Sequence, residues 1–157
     1  MRTQLRPEKD YRIVEELTRE AFWIVVRHAQ STDYSWLKKH DKHISAETLK
    51  NKIANKEVYI VEKGGKIIGW LRYNLFWDNI PFMNMICFLA KYRGKGIGKK
   101  LVKYWEKDMK AKGYKNVLTS TQSNENAQHF YRKLGYTEIG GFKYFDNPYE
   151  IIFQKVF

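Results

Sequence analysis

The sequence predicts a mixed α+β layer fold, because segments with strand periodicity alternate with segments of helix periodicity along one short chain. The chain has 157 residues, of which 43% are hydrophobic, so it has the length and apolar content of one domain with its own core. Its strongest local signal is the run Arg-Gly-Lys-Gly-Ile-Gly at residues 93–98, which separates an apolar strand pattern from an amphipathic helix pattern. We therefore expect residues 1–157 to form a single domain.

The first third of the chain predicts helices with a short strand before them. Residues 3–6 have a strand pattern, and Asp10 can cap a helix that runs on to residue 21. The run 21–26 is apolar on all sides, which predicts that the end of this helix is buried or lines a cleft. Residues 31–42 predict a loop or a short helix, and Ser45 predicts the start of another helix.

Strands and helices are predicted in alternation from residue 58 onward. The pair Gly64-Gly65 favours a tight turn between two strands. Apolar residues at a spacing of four from Ile97 to Met109 predict a helix after the glycine run, and Gly113 is suited to its end. The predicted elements are strands at 58–62, 66–74 and 82–90, the helix that begins at residue 97, a strand at 117–121, a helix capped by Ser123 or Asn124 and ended by Gly135, and strands at 136–139 and 149–156.

The net charge of +12 is the second global feature. It suits an anionic ligand, an acidic partner, nucleic acid or an anionic membrane surface. The single cysteine, Cys87, excludes an internal disulfide and is expected to be an inert residue of a buried strand. No apolar run approaches the roughly 20 residues that span a bilayer, and the N-terminal residues lack the apolar segment of a signal peptide. We therefore expect a cytoplasmic protein with no membrane partner and no metal.

The run at residues 93–98 has the features of a phosphate-binding loop. The N–H groups at a helix start attract an anion, glycines let the backbone approach it, and Arg93 and Lys95 add positive charge. Two familiar loops do not fit the spacing. Lys99 is followed by Lys100 where a Walker A loop has Ser or Thr, and Lys99 stands where the dinucleotide fingerprint has its third glycine.

Two blocks of residues share a spacing that is found in one enzyme family. The first block is Arg93-x-x-Gly96-x-Gly98, and the second is Asn124-x-x-Ala127-x-x-x-Tyr131-x-x-x-Gly135-Tyr136. Together they resemble the Arg/Gln-x-x-Gly-x-Gly/Ala signature and the downstream Asn, Ala, Tyr and Gly-Phe/Tyr block of the GCN5-related N-acetyltransferases, the GNAT family. The resemblance covers nearly the whole chain. It implies the family's fold, a twisted and mostly antiparallel sheet of six to seven strands with helices on both faces.

The resemblance also implies acetyl-CoA as the cofactor. Its pyrophosphate is expected at the helix start, and its peptide-like arm is expected to pair with main-chain groups at the end of the preceding strand. The implied cofactor-binding residues are Cys87, Phe88, Leu89, Arg93, Gly94, Lys95, Gly96, Ile97, Gly98, Lys99, Asn124, Ala127 and Tyr131.

The reaction that the resemblance implies is a direct transfer of the acetyl group to a primary amine of a small molecule or peptide, in a ternary complex. Tyr131 is the implied general acid, although its place on an apolar helix face also suits a core residue. A backbone N–H near Leu89 is the implied oxyanion donor. Many relatives use a glutamate on the fourth strand as the base, but residues 82–90 contain none. Asp78 is the nearest acidic candidate, and a water chain is the alternative.

The acceptor site is expected to involve aromatic side chains, which can enclose a cation or pack as ordinary core. The basic surface disfavours a highly cationic acceptor. Because many relatives dimerise, a homodimer is an expected state. The candidate substrate-binding residues are Trp23, Tyr34, Trp36, Phe76, Trp77 and Phe82.

Two other functions fit parts of the sequence. A GNAT-fold domain that binds an acyl-CoA as a sensor would not need the absent strand glutamate. A basic module that stacks nucleic-acid bases on aromatic rings would suit the charge of +12. That second alternative does not require the block from Asn124 to Tyr136, so we expect no specific nucleic-acid partner.

Overall fold

In a computed structural model of the protein, the structure describes the two-residue strand at residues 12–13 and every residue from 23 to 157. The strand predicted at residues 3–6 and most of the helix predicted at residues 10–21 lie outside the described residues. The chain divides into two compact units, Met1–Gly69 and Trp70–Phe157. The prediction that residues 1–157 form one domain stays a prediction.

The first unit contains three antiparallel strands in the order β1-β2-β3. A 3-10 turn at Ser31–Asp33 leads into the first of two helices. Ser45 caps the second helix as predicted, since its hydroxyl oxygen accepts a hydrogen bond from the Thr48 N–H at 3.1 Å. The elements are β1 (Arg12–Ile13), β2 (Ile24–His28), α1 (Tyr34–His40), α2 (Ala46–Ala54) and β3 (Val58–Lys63).

The apolar run at residues 21–26 was predicted to end a helix, and this prediction is wrong for its described part. Residues 24–28 form β2, and residues 12–13, which the predicted helix would include, pair with it as β1. Ile24, Val25 and Val26 are β-branched, which favours a strand. Their burial alternates, with Ile24 and Val26 buried and Val25 half-buried, so the period is that of a strand.

An ion-pair network fixes the turn that follows β2. Arg27 donates from Nη1 to Asp33 Oδ2 at 2.7 Å and from Nη2 to Asp33 Oδ1 at 3.0 Å, and it also donates to Glu62 on β3 at 2.6 Å. The Gln30 N–H donates to Asp33 as well. Burial raises the pKa of Asp33, but the hydrogen bonds from Arg27 and Gln30 outweigh it and hold that pKa below its usual value. The network therefore ties the turn to β2 and β3.

The second unit contains five strands in the order β4-β5-β6-β8-β7, and two helices. Strand β5 pairs parallel with β6, whereas β8 pairs antiparallel with both β6 and β7. The mixed α+β class is therefore confirmed. The elements are β4 (Lys66–Phe76), in which the division between the units falls, β5 (Ile80–Phe88), α3 (Ile97–Ala111), β6 (Asn116–Gln122), α4 (Ala127–Lys133), β7 (Thr137–Phe142) and β8 (Glu150–Val156).

Two details of the predicted strands change. The described residues hold eight strands rather than six or seven, and the two-residue β1 is one of them. Strand β5 begins and ends two residues earlier than predicted. Trp77 and Asp78 adopt φ angles of 51° and 60°, so a tight turn at residues 77–79 lets β5 begin at Ile80.

Helix α3 forms because its apolar residues recur every four positions and its end carries a glycine. Ile97, Leu101, Trp105 and Met109 are at most 6% exposed. Burial of each such side chain stabilises the fold by about 1.5–3 kcal/mol. The helix ends at Ala111, and Gly113, whose φ is 93°, follows the C-cap residue. The Gly113 and Tyr114 N–H groups donate hydrogen bonds back to carbonyls of the last turn.

Candidate active site

The glycine run lies directly after a short turn at the end of β5. Residues Ala90–Tyr92 form a 3-10 turn, and the Arg93 Nε donates to the Phe88 carbonyl at 2.8 Å. The Arg93 side chain, which was predicted to add charge to a phosphate site, thus also closes the loop between β5 and α3. This bond fixes where the glycine run begins.

The start of α3 has the geometry of an anion-binding helix terminus. Gly96 is the N-cap residue, with φ 79° and ψ 0°, and no side chain caps this end of the helix. A helix leaves its first N–H groups without partners inside the helix, here those of Ile97, Gly98 and Lys99. These N–H groups and the helix dipole together favour a negative ligand.

A pocket of about 450 Å³ opens at this helix start. Lys99 and Lys133 line it and supply two cationic side chains from two different helices. Phe88, Phe130 and Leu134 form its apolar wall. A Cβ added at Gly98 would lie 3.7 Å from both Phe88 and Phe130, which is ordinary contact, so this position has room for alanine. The pocket therefore combines a backbone anion site with lysine charge.

Strands β5 and β6 separate beyond one point in the sheet. Their parallel pairing is confined to Phe82 with Leu118 and Met83 with Thr119. From there β5 continues to Phe88, next to the pocket, while β6 pairs with β8 along its whole length. We call the place where this pairing ends the branch point. The segment 84–88 of β5 thus runs from the branch point to the pocket.

Tyr131 lies at the branch point. It is 5% exposed, and its ring packs against Phe153 with the centroids 6.0 Å apart. Phe153 is the β8 neighbour of Thr119 on β6, so the Tyr131 ring packs beside the end of the β5–β6 pairing. Burial raises the pKa of the Tyr131 hydroxyl, the Thr119 side chain partly opposes this, and the Glu125 charge adds to the rise. The hydroxyl therefore stays protonated at neutral pH, as a general acid must.

The spacing from Tyr131 to Tyr136 is set by the way α4 ends. The Gly135 N–H donates to the Arg132 carbonyl at 3.1 Å, and the Tyr136 N–H donates to the Tyr131 carbonyl at 3.1 Å. Gly135 has φ 89°, and this positive angle together with the two hydrogen bonds defines a Schellman ending. In that motif the residue just before Tyr136, the final N–H donor, takes the left-handed conformation that favours glycine. The rings of Tyr131 and Tyr136 supply the hydrophobic contact of that motif, with centroids 5.7 Å apart. The helix ending thus positions the Tyr131 side chain.

The loop before α4 differs from its prediction. Neither Ser123 nor Asn124 caps the helix, which begins at Ala127 with Asn126 at the N-cap. Instead the Glu125 carboxylate accepts hydrogen bonds from the Thr121 hydroxyl and the Gln122 N–H, and these hold the loop. Asn124 is exposed and makes no hydrogen bond within residues 23–157, so its amide can reach a ligand.

The Leu89 N–H stays the predicted oxyanion donor. Leu89 is the first residue after β5 and follows Phe88, which lines the pocket. The pocket wall also adjoins Tyr131, because the centroid of the Phe130 ring is 5.3 Å from that of the Tyr131 ring.

The candidate base and the candidate substrate-binding residues are not among the residues that line the pocket. Asp78 is at the exposed tip of the turn between β4 and β5. In the second unit, Phe76 contacts Trp77 and Phe82 with ring centroids 4.9 and 6.2 Å apart. In the first unit, Trp23 is exposed, Tyr34 faces the Lys50 ammonium at 5.1 Å, and Trp36 stacks on His40 at 3.8 Å.

Sequence reasoning missed four of the residues that line the pocket, namely Tyr92, Phe130, Lys133 and Leu134. Phe130 and Lys133 are three positions apart and therefore share one face of α4. That spacing is visible in the sequence, but only the fold shows that this face meets the start of α3.

The comparison with protein families decides the assignment. Residues 11–136 match the sequence model of the Acetyltransferase (GNAT) family. The chain belongs to this family. It is accordingly an acetyltransferase that uses acetyl-CoA as the acetyl donor, and the predicted GNAT fold is confirmed.

Solved structures share the fold of this GNAT chain at low sequence identity. One is the NatC complex bound to Gag peptide and CoA, at 16% identity and TM-score 0.73, covering 85% of this chain and 98% of that chain. Another is Arabidopsis thaliana Naa50 in complex with the bisubstrate analogue CoA-Ac-MVNAL. Its sequence identity is 17% and its TM-score is 0.71, and the match covers 85% of this chain and 99% of that chain. A third is a GNAT family acetyltransferase from Elizabethkingia anophelis with acetyl-CoA bound. Its sequence identity is 20% and its TM-score is 0.71, and the match covers 85% of this chain and 98% of that chain. No curated protein sequence matches this chain significantly.

Metal-binding clusters and membrane-spanning helices were also sought in the described part of the chain. Residues 23–157 contain no group of three or more side chains suited to hold a metal ion. No helix in the same part of the chain is long and apolar enough to cross a membrane.

Proposed function

We propose that the protein transfers the acetyl group of acetyl-CoA to a primary amine of a small molecule or peptide, by direct attack within a ternary complex. The observation that carries this proposal is the position of the buried Tyr131 side chain. Its ring packs against Phe153 beside the branch point, and the ring next to it, that of Phe130, forms part of the wall of the lysine-lined pocket. One extended ligand can therefore have its anionic part in the pocket and its reactive part beside a general acid.

The pocket residues suit the anionic part of the cofactor. The N–H groups of Ile97 to Lys99 would bind the pyrophosphate, and the Lys99 and Lys133 side chains would add charge. The arm would pair with main-chain groups of Cys87, Phe88 and Leu89 in the manner of an added strand. The exposed Asn124 amide would bind the arm from the other side.

Tyr131 would act when the bond between the acetyl carbon and sulfur breaks. The amine nitrogen forms a bond to the acetyl carbon and gives up one proton to the base, and the sulfur leaves with the bond's electron pair. The Tyr131 proton goes to that sulfur, and Tyr131 regains a proton from water. A thiol has an ordinary pKa near about 8.5, so the departing sulfur needs only modest help from an acid. Burial keeps the Tyr131 hydroxyl protonated at neutral pH, and its raised pKa makes it a weak acid that suits this modest help.

The oxyanion donor follows from where Tyr131 lies. The carbonyl oxygen and the sulfur of a thioester are neighbours, so the donor must lie close to the acid. A main-chain N–H at or near Leu89, at the pocket end of β5, stays the proposed donor.

Asp78 stays the candidate base among the side chains, and water is its alternative. Asp78→Asn tests this directly. If Asp78 takes the amine proton, kcat/KM falls about 10²-fold or more, whereas transfer through water leaves it nearly unchanged.

The acceptor proposal draws on two relatives whose structures contain peptides or peptide analogues. We propose two classes of acceptor, the amino terminus of a peptide and a small primary amine. A surface of charge +12 disfavours a strongly cationic acceptor, so peptides with neutral or acidic residues are the first to test.

The test is an acceptor panel with acetyl-CoA that measures released thiol and the acetylated product by mass. Peptides and small amines form separate arms, and Tyr131→Phe is the control. Turnover with one class names the acceptor. Tight CoA binding with no turnover by any amine would contradict the proposal and favour an acyl-CoA sensor.

A further inference from the structure

We propose that Gln128 is a positioning residue that presents the Asn124 amide to the cofactor. This inference rests on the proposed contact between that amide and the cofactor arm. Gln128 lies in the first turn of α4, and Phe130 and Lys133 on the same helix line the pocket. The loop that carries Asn124 therefore leads directly into a helix that forms part of the pocket wall.

The Gln128 side chain holds the backbone on both sides of Asn124. Its Nε2 donates to the Ser123 carbonyl at 2.8 Å and to the Glu125 carbonyl at 3.3 Å. A glutamine amide nitrogen has two N–H donors, so both of them are used. Side chains of a helix lean toward its N-terminus, which lets Gln128 reach back over the loop before α4.

The N–H groups on either side of Asn124 are engaged as well. The Ser123 N–H donates to the Tyr149 carbonyl at 2.7 Å, and the Glu125 N–H donates to the Gln122 carbonyl at 3.0 Å. The Asn124 side chain, by contrast, is exposed and makes no hydrogen bond in the part of the chain that the structure describes. The loop thus fixes its backbone and leaves one amide for a ligand.

A backbone that is fixed before binding lowers the entropy cost of binding. Ordering a loop or a side chain around a ligand reduces the affinity, and a group that is already held in its bound position avoids that cost. Without the two bonds from Gln128, the carbonyls of Ser123 and Glu125 would bind water, and the backbone at Asn124 would gain freedom. Gln128 should therefore affect cofactor affinity through Asn124 and leave the chemical step unchanged.

A second glutamine provides a matched control on β8. Gln154 is half-buried like Gln128, and its Nε2 donates to the Asn116 side chain at 3.4 Å. Asn116 is the first residue of β6, whereas the loop with Asn124 follows the last residue of that strand. Gln154→Met thus removes a glutamine amide at the opposite end of β6. Methionine suits both positions because it is unbranched and flexible and has no N–H donor.

The experiment is a double-mutant cycle with Gln128→Met and Asn124→Ala, measured as CoA affinity by calorimetric titration. We expect Asn124→Ala to lower the affinity about five-fold or more and Gln128→Met to lower it about three-fold or more. In the Asn124→Ala background, Gln128→Met should change the affinity less than about 1.5-fold, because Gln128 acts through the amide that is gone. Gln154→Met should stay within about 1.5-fold of the wild type.

Two further readouts separate positioning from a general loss of structure. At saturating acetyl-CoA, Gln128→Met should change kcat less than about two-fold while KM for acetyl-CoA rises. In the free protein, amide hydrogen exchange at Ser123 and Glu125 should become about three-fold faster or more, because the loop opens more often. The Glu125 carboxylate keeps its bonds to Thr121 and Gln122, so the variant should fold.

The outcomes that would overturn the inference are distinct from failure of the proposed function. Unchanged exchange at Ser123 and Glu125 would overturn the role of Gln128 in holding the loop. An equal loss of affinity from Gln128→Met with and without the Asn124 amide would overturn the positioning role, as would wild-type affinity in Asn124→Ala. A wild type that binds CoA but acetylates no amine would instead overturn the proposed function, while the binding cycle would still report the positioning of Asn124.

Discussion

Replacing Gly96 by alanine should weaken the helix start on which the cofactor site is built. Gly96 has φ 79°, and a Cβ added there would meet no atom within 4 Å, so the penalty is conformational rather than a clash. Holding an alanine in the left-handed region costs about 1–2 kcal/mol. If the alanine keeps this conformation, the loss is in the free energy of unfolding. If the loop relaxes, the N–H groups of α3 no longer converge, and the loss is in CoA affinity.

The loss in the free energy of unfolding and the loss in the free energy of CoA binding should together amount to about 1–2 kcal/mol. If the whole penalty falls on binding, CoA affinity decreases roughly 5- to 30-fold. Gly98→Ala is the matched control, because Gly98 lies inside the first turn of α3 and its added Cβ makes ordinary contacts at 3.7 Å. It should leave CoA affinity nearly unchanged and raise stability by up to about 1 kcal/mol.

Calorimetric titration with CoA and urea unfolding measure both quantities for the two variants. An unchanged Gly96→Ala protein would refute the conformational argument. Equal losses for Gly96→Ala and Gly98→Ala would refute it as well, since only the first position has a positive φ.

Three further outcomes follow from the same structure. Tyr131→Phe should lower kcat about ten-fold or more and leave CoA affinity nearly unchanged, as steady-state kinetics and titration would show; an unchanged kcat with chemistry rate-limiting would exclude the acid role. Burial raises the pKa of Tyr131 and Tyr136 above their ordinary 10.0, so the stability that the two hydroxyls contribute is complete below that pH and is lost as pH rises above it. Replacing both residues by Phe should therefore flatten the decrease in the free energy of unfolding that urea titrations show above about pH 10. An equally steep decrease in the double variant would contradict this. Asp33→Asn should lower the free energy of unfolding by about 2 kcal/mol, because it leaves Arg27 partly unpaired. Glu138→Gln removes one partner of an exposed ion pair and should lower it by less than about 0.5 kcal/mol. Equal losses in urea unfolding would contradict the argument that burial makes the first pair more important.

The elements that sequence reasoning placed well are those whose signals are local. Ser45 at a helix start, Gly113 after a helix and the Gly64-Gly65 pair each act through their own backbone geometry, and the structure has all three features. The family blocks are local in the same sense. Gly135 and Tyr136 stand where a Schellman ending requires them, so their spacing from Tyr131 is fixed by one helix terminus.

The features that were missed depend on contacts between distant parts of the chain. An apolar run such as residues 21–26 fits a buried helix or a strand equally well, and the pairing of β2 with β3 decides for the strand. The same holds for the site. Phe130 and Lys133 line the pocket because α4 meets the start of α3, and their spacing in the sequence does not predict that contact.

The most direct test of the acetyltransferase site is to follow thiol release from acetyl-CoA with a panel of peptide and small-molecule amines, for the wild type and Tyr131→Phe. We expect the wild type to release one thiol for each acetyl group that mass measurement finds on an amine. Tyr131→Phe should bind CoA equally well and turn over at least about ten-fold more slowly. Equal turnover by both proteins, or binding of CoA without any transfer by the wild type, would contradict this account of the site.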